Sequence, residues 1–242
     1  MKRTERHHLK DNELAKATAT AQRYAEENRS QLTTIVGGVL VVLLAAGGYY
    51  AWTTRVSARA HTLLADALIV DEARVGPPPA PGSPSPGGLS FETERAKHQA
   101  ALTKYKIAAD EYPSTDAGIY ARYRQAATYM ALGEAASAAT TYQQVIDQAG
   151  ESLYGQMARL GLAEAQAQTG QYEQAIATFK SLADRKDGQV PVDGVLIRLG
   201  RTYADAGKKG DAEQTFNRIV QEFPDSPFSA DARRELDQLK KT

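Results

Sequence analysis

Residues 195–224 read VLIRLGRTYADAGKKGDAEQTFNRIVQEFP, and their spacing decides the fold. Gly207 stands at a turn where a first helix ends, because glycine accepts the positive φ that such a stop requires. Beyond it, Ala212, Phe216 and Ile219 follow at steps of four and three, which places them on one face of a second helix. The small alanine lets the two helices approach, and the aromatic and aliphatic residues form the face that must be buried.

The same pattern recurs upstream with a period of 37 residues. Gly133, Gly170 and Gly207 form one column, and Ala101, Ala138, Ala175 and Ala212 form another. Tyr105, Tyr142, Phe179 and Phe216 make an aromatic column, and Ala108, Val145, Leu182 and Ile219 a small or aliphatic one. One helix pair cannot bury its stripe alone, so successive pairs must stack into a short solenoid. Residues 91–111 carry the columns of a second helix, but GPPPAPGSPSPGG at 76–88 replaces the expected first helix before it. Six prolines in that stretch exclude helix and mark a linker. The displaced first helix is then expected at residues 54–74, continuing out of the segment before it or hinging just after it. At the other end, Asp225 and Ser226 precede Pro227 as a helix-start signal, and the alternating charges of 228–240 predict a solvated capping helix.

Leu32 to Trp52 reads LTTIVGGVLVVLLAAGGYYAW without a charge, long enough to cross a bilayer as a helix of about 30 Å. Tyr49, Tyr50 and Trp52 suit the interface, and Arg55 closes the span. A cleaved signal peptide would require a much shorter leader than the 31 residues before it, and a buried core helix would not be so uniformly apolar. Lys2, Arg3, Arg6, Lys10, Lys16, Arg23 and Arg29 precede the span, whereas Arg55 and Arg59 follow it. This bias predicts a cytoplasmic N-terminus and a repeat domain on the far side of the membrane. The expected organisation is an all-α chain: a basic tail at 1–31, a single transmembrane helix at 32–52, and a first helix at 53–75. A Pro/Gly-rich loop at 76–90, repeats at 91–224 and a capping helix at 225–242 complete it.

Composition removes several function classes. Twenty-nine basic residues balance twenty-nine acidic ones, so no broad cationic face is available for nucleic acid. With no cysteine, disulfides, thiolate catalysis and cysteine metal sites are excluded. His7, His8, His61 and His98 lack a second ligand at helical spacing, and no phosphate loop or nucleophile elbow is present. The chain is therefore expected to have no catalytic residues, no cofactor, no metal and no small-molecule substrate. Protein partners remain.

Leu196, Leu199, Gly200, Tyr203, Gly207, Ala212, Phe216 and Pro224 resemble the signature of the tetratricopeptide repeat. The repeat before keeps Leu162, Gly170, Tyr172, Ala175 and Phe179, with Ala163 in place of the helix-packing glycine; the first keeps Tyr129, Gly133, Ala138 and Tyr142. The resemblance implies a solenoid of about three to four helix pairs whose first helices line a concave surface. Its inward positions are Tyr120, Tyr123, Ala127 and Met130, then Met157, Leu160 and Glu164, then Ile197 and Arg201. Their apolar and aromatic character argues against a clamp for acidic tails and suits a helix or unfolded apolar segment, or else packing against the next repeat. The whole plan, with its Tyr-Tyr-Ala-Trp exit at 49–52, also resembles the YfgM family of ancillary Sec-translocon subunits. That resemblance implies a bacterial inner-membrane protein with a periplasmic repeat domain. Its implied partners are translocon subunits, a membrane-anchored periplasmic chaperone and nascent secretory chains. The proline-rich insert departs from that family. The alternative is an envelope assembly or division scaffold that binds another membrane complex.

Overall fold

The computed structural model describes residues 16, 18–24, 26–76, 88–185 and 188–241. The first half of the basic tail and the core of the proline-rich stretch lie outside them. Two compact units divide the chain, Met1–Arg55 and Val56–Thr242. Their boundary falls inside α1 (Arg29–Asp71), a single helix of 43 residues. The apolar stretch at 32–52 and most of the helix expected at 53–75 fall within α1. The hydroxyls of Thr53 and Thr54 donate back to the Tyr50 carbonyl at 2.9 and 3.0 Å. Among the described residues α1 is the one helix long and apolar enough to cross a membrane, with a mean hydropathy of 2.0 over its most apolar window and none of that window buried.

The second unit is a stack of antiparallel helix pairs. After α1 come α2 (Glu94–Glu111), α3 (Asp116–Leu132), α4 (Ala135–Ala149) and α5 (Leu153–Gln168). Then follow α6 (Tyr172–Ala183), α7 (Val192–Asp205), α8 (Lys209–Glu222) and α9 (Ser229–Leu239). The all-α expectation needs one amendment: β1 (Arg74–Val75) and β2 (Ser90–Phe91) pair in parallel, Arg74 with Ser90 and Val75 with Phe91. This short ladder pins together the two ends of the insert. An interruption that leaves the chain extended on both sides supplies unpaired backbone donors and acceptors, and two short strands satisfy each other.

The three predicted turns are built identically. Gly133, Gly170 and Gly207 have φ of 80, 77 and 74°, the left-handed conformation that ends each first helix. In each, the next residue's N–H reaches back to a carbonyl of the last helical turn: Glu134 to Tyr129, Gln171 to Gln166 and Lys208 to Tyr203, at 2.8–2.9 Å. Those bonds satisfy carbonyls that the helix end would orphan. Helix starts use Thr93, Thr115 and Ser152, whose side chains accept from Ala96, Gly118 and Gly155 N–H groups.

All twelve residues of the alanine, aromatic and aliphatic columns are at most 4% exposed. They are the core. In the first pair, Ala60, Leu64, Ala67 and Val70 of α1 supply the missing first-helix stripe and pack with Ala101, Tyr105 and Ala108 of α2. The longer period is spent at joints between pairs, such as residues 184–191 between α6 and α7. There the Gln156 side-chain carbonyl accepts from the Gln189 N–H at 2.9 Å, and Glu151 pairs with both Arg159 and Arg185. At the C-terminus α9 begins at Ser229, later than the Asp225–Ser226 signal places it. Ser226 instead donates to Asp193 of α7 at 2.6 Å and accepts from the Phe228 N–H, so it ties the last loop to the preceding pair.

Candidate functional site

The odd-numbered helices stand side by side, α3 against α5 and α5 against α7, and present one common face. Each joint along it is closed by a specific contact. Between α1 and α3, Arg124 pairs with Asp71, whose carboxylate is 10% exposed. Asp71 also accepts from the Tyr105 hydroxyl at 2.9 Å, and the Arg124 guanidinium lies 5.6 Å from the centre of the Tyr105 ring. Burial pushes the Tyr105 phenol well above its ordinary value; Asp71 adds to this and Arg124 opposes it. Arg124 further donates to the Tyr120 hydroxyl at 3.5 Å.

Between α3 and α5 the joint is aromatic. Tyr120 stacks on Tyr123 with centroids 6.3 Å apart and meets Tyr154 of α5 at 5.4 Å. Tyr123 packs on the buried Tyr142 at 5.8 Å. Burial raises the phenol pKa of Tyr123 and of Tyr142, and nearby Glu164 adds to both shifts. A side chain in the register of Arg124 would force the tyrosine out of place here: at Gly161 a Cβ would stand 2.3 Å from the Tyr142 ring. Glycine at this position lets the tyrosines replace an ion pair.

Between α5 and α7, Glu164 pairs with Arg198, which also donates to the Gly194 carbonyl at 2.7 Å. Between α7 and α9, Arg201 donates to Glu235 at 2.8 Å and lies 3.6 Å from Asp231. A cleft of about 290 Å³ opens at this end, floored by Phe179, Ile197 and Phe228 and rimmed by Glu164, Arg198 and Arg201.

The residues singled out from sequence fall into three groups. Tyr120 and Tyr123 belong to the aromatic joint. Glu164, Ile197 and Arg201 line the cleft, although Ile197 is only 1% exposed and forms its floor. Met130, Met157 and Leu160 are half-buried against the adjoining cores. Asp71, Arg124, Tyr154, Arg198, Phe228 and Glu235 were not anticipated. A signal existed for two of them, since Arg124, Gly161 and Arg198 are successive members of one 37-residue column. Among the described residues, no group of three or more His, Cys, Asp or Glu side chains could hold a metal ion.

Comparison with known proteins agrees with this architecture. The chain matches the tetratricopeptide repeat-like domain over residues 23–240. It is similar to the nearly identical TPR-like repeats of a kinesin light chain from Podosopora anserina, in a form carrying one substitution, at 18% identity and a TM-score of 0.52. That match covers 61% of this chain and 79% of the other. A second structure of the same repeats matches at 16% identity and a TM-score of 0.52, covering 61% and 80%. At such identities the likeness is one of fold. No curated protein shows significant sequence similarity to the chain.

Proposed function

Because the chain belongs to the tetratricopeptide repeat-like domain family, we propose that it is a membrane-anchored scaffold whose odd-helix face docks other proteins. Stacked helix pairs of this kind form protein-interaction scaffolds. The observation that carries the reading is the row of side-chain joints between neighbouring odd-numbered helices, from Asp71 to Glu235, with partly exposed tyrosines and a cleft beside Phe228. The apolar window of α1 supports the anchor, and the excess of basic residues before it supports a cytoplasmic N-terminus with the repeats in a bacterial periplasm. The resemblance to ancillary translocon subunits makes translocon components, a membrane-anchored chaperone and nascent secretory chains the partners to test first. Tyr120, Tyr123, Met130, Met157, Leu160, Glu164, Ile197 and Arg201 remain the proposed partner-binding set.

Site-specific photocrosslinking from positions 123 and 157 in intact cells is the test. The reading expects adducts to translocon, chaperone or nascent chains. Adducts confined to a different membrane complex would select the envelope-assembly alternative, and no adducts from either position would sink the docking role. A reporter fused after residue 242 fixes topology; a cytoplasmic signal would remove the periplasmic assignment.

A further inference from the structure

Three arginines project onto the odd-helix face, and an arginine row ordinarily reads as a receptor for acidic segments. Here each is already engaged by a carboxylate of this chain. Arg124 is held by Asp71, Arg198 by Glu164, and Arg201 by Glu235 with Asp231 nearby. An incoming carboxylate would have to displace an intramolecular one that is present at a high effective concentration. Displacement is hardest at Asp71, which is 10% exposed and also bonded to Tyr105, so it would remain beside the newcomer as an uncompensated negative charge. The uncommitted surface is uncharged: the partly exposed rings of Tyr120, Tyr123 and Tyr154, and Phe228 in the cleft, behind which Phe179 and Ile197 are buried in the core.

Resting on the docking role above, we propose that this face takes uncharged apolar segments of another protein. We further propose that Asp71 and Glu164 determine this specificity by occupying Arg124 and Arg198. The two carboxylates act as built-in competitors for acidic ligands. Removing either charge leaves a guanidinium whose positive charge is no longer neutralised within the chain, although Arg124 keeps its bond to Tyr120 and Arg198 its bond to Gly194.

The test is fluorescence anisotropy with the full chain in lipid nanodiscs, empty nanodiscs serving as the blank. One labelled probe is a peptide of alanine, leucine and glutamine; the other has glutamate at every glutamine position. The wild-type chain should bind the neutral probe about tenfold more tightly than the acidic one, with little change in neutral-probe affinity from ~50 to ~500 mM salt. Glu164→Gln, and separately Asp71→Asn, should bring the acidic probe to within about threefold of the neutral one, and added salt should abolish that gain. Glu164 is partly exposed, so Glu164→Gln reports even if Asp71→Asn perturbs the first helix pair. Equal or preferred binding of the acidic probe by the wild-type chain would overturn the specificity while leaving the docking role standing. Variants that do not shift the preference would overturn the assignment to Asp71 and Glu164. Binding of neither probe by the wild-type chain would overturn the docking role and this inference with it.

Discussion

Replacing Gly200 by alanine probes the closest helix approach in the last repeat. A Cβ at this position would stand 2.4, 2.7 and 2.8 Å from three atoms of the Phe216 ring. Phe216 is fully buried, so the ring has no free space to turn into, and α7 must move away from α8 instead. Overpacking of this kind costs about 1–3 kcal/mol, and a clash this short belongs in the upper part of that range. Alanine returns roughly 0.8–1 kcal/mol of helix propensity, leaving a net loss of about 1–2 kcal/mol. For a unit of this size each kcal/mol moves Tm by about 2–4 °C, so the midpoint should fall by roughly 2–8 °C. The measurement is thermal unfolding followed by far-UV circular dichroism. Gly210→Ala is the matched control: it lies in α8 with nothing within 4 Å of a new Cβ, and should stabilise by up to about 1 kcal/mol. If Gly200→Ala raised the midpoint as Gly210→Ala does, the glycine would not be there to admit Phe216, and the account of the α7–α8 joint would be wrong.

The remaining tests address the turns, the first pair and titration. Gly207→Ala, at φ 74°, should cost about 1–2 kcal/mol through left-handed strain, read by urea unfolding. Tyr105→Phe removes the 2.9 Å bond to Asp71 and should destabilise the first pair by about 1–2 kcal/mol, seen as faster amide exchange in α2. Alkali should unfold the repeats. Tyr105, Tyr123 and Tyr142 all have folded pKa values raised above the unfolded 10.0, so their contribution is intact below pH 10 and is lost as pH rises through the higher folded values. Titration of the unfolding midpoint should therefore show a decline beginning near pH 10, and a flat profile to higher pH would contradict the burial of these phenols.

Periodicity alone determined the helix pairs, the glycine turns and the buried columns. Each depends on local geometry that one residue type satisfies: glycine for a left-handed stop, alanine for close approach, an aromatic ring on the same face to fill the layer. A chain with three such columns in phase has few other ways to bury them. The uncharged stretch before the repeats was equally legible, because helix length and hydropathy are local quantities. Tertiary structure decided what the odd-helix face is made of. Asp71 reaches Arg124 across 53 residues of sequence, and Arg198 reaches Glu164 across 34. An arginine read singly is a free cation, and only the stacking angle of neighbouring helices brings a carboxylate to it. The same holds for the two short strands that pin the insert. These are long-range pairings that no local period encodes, and they neutralise Arg124, Arg198 and Arg201 within the chain.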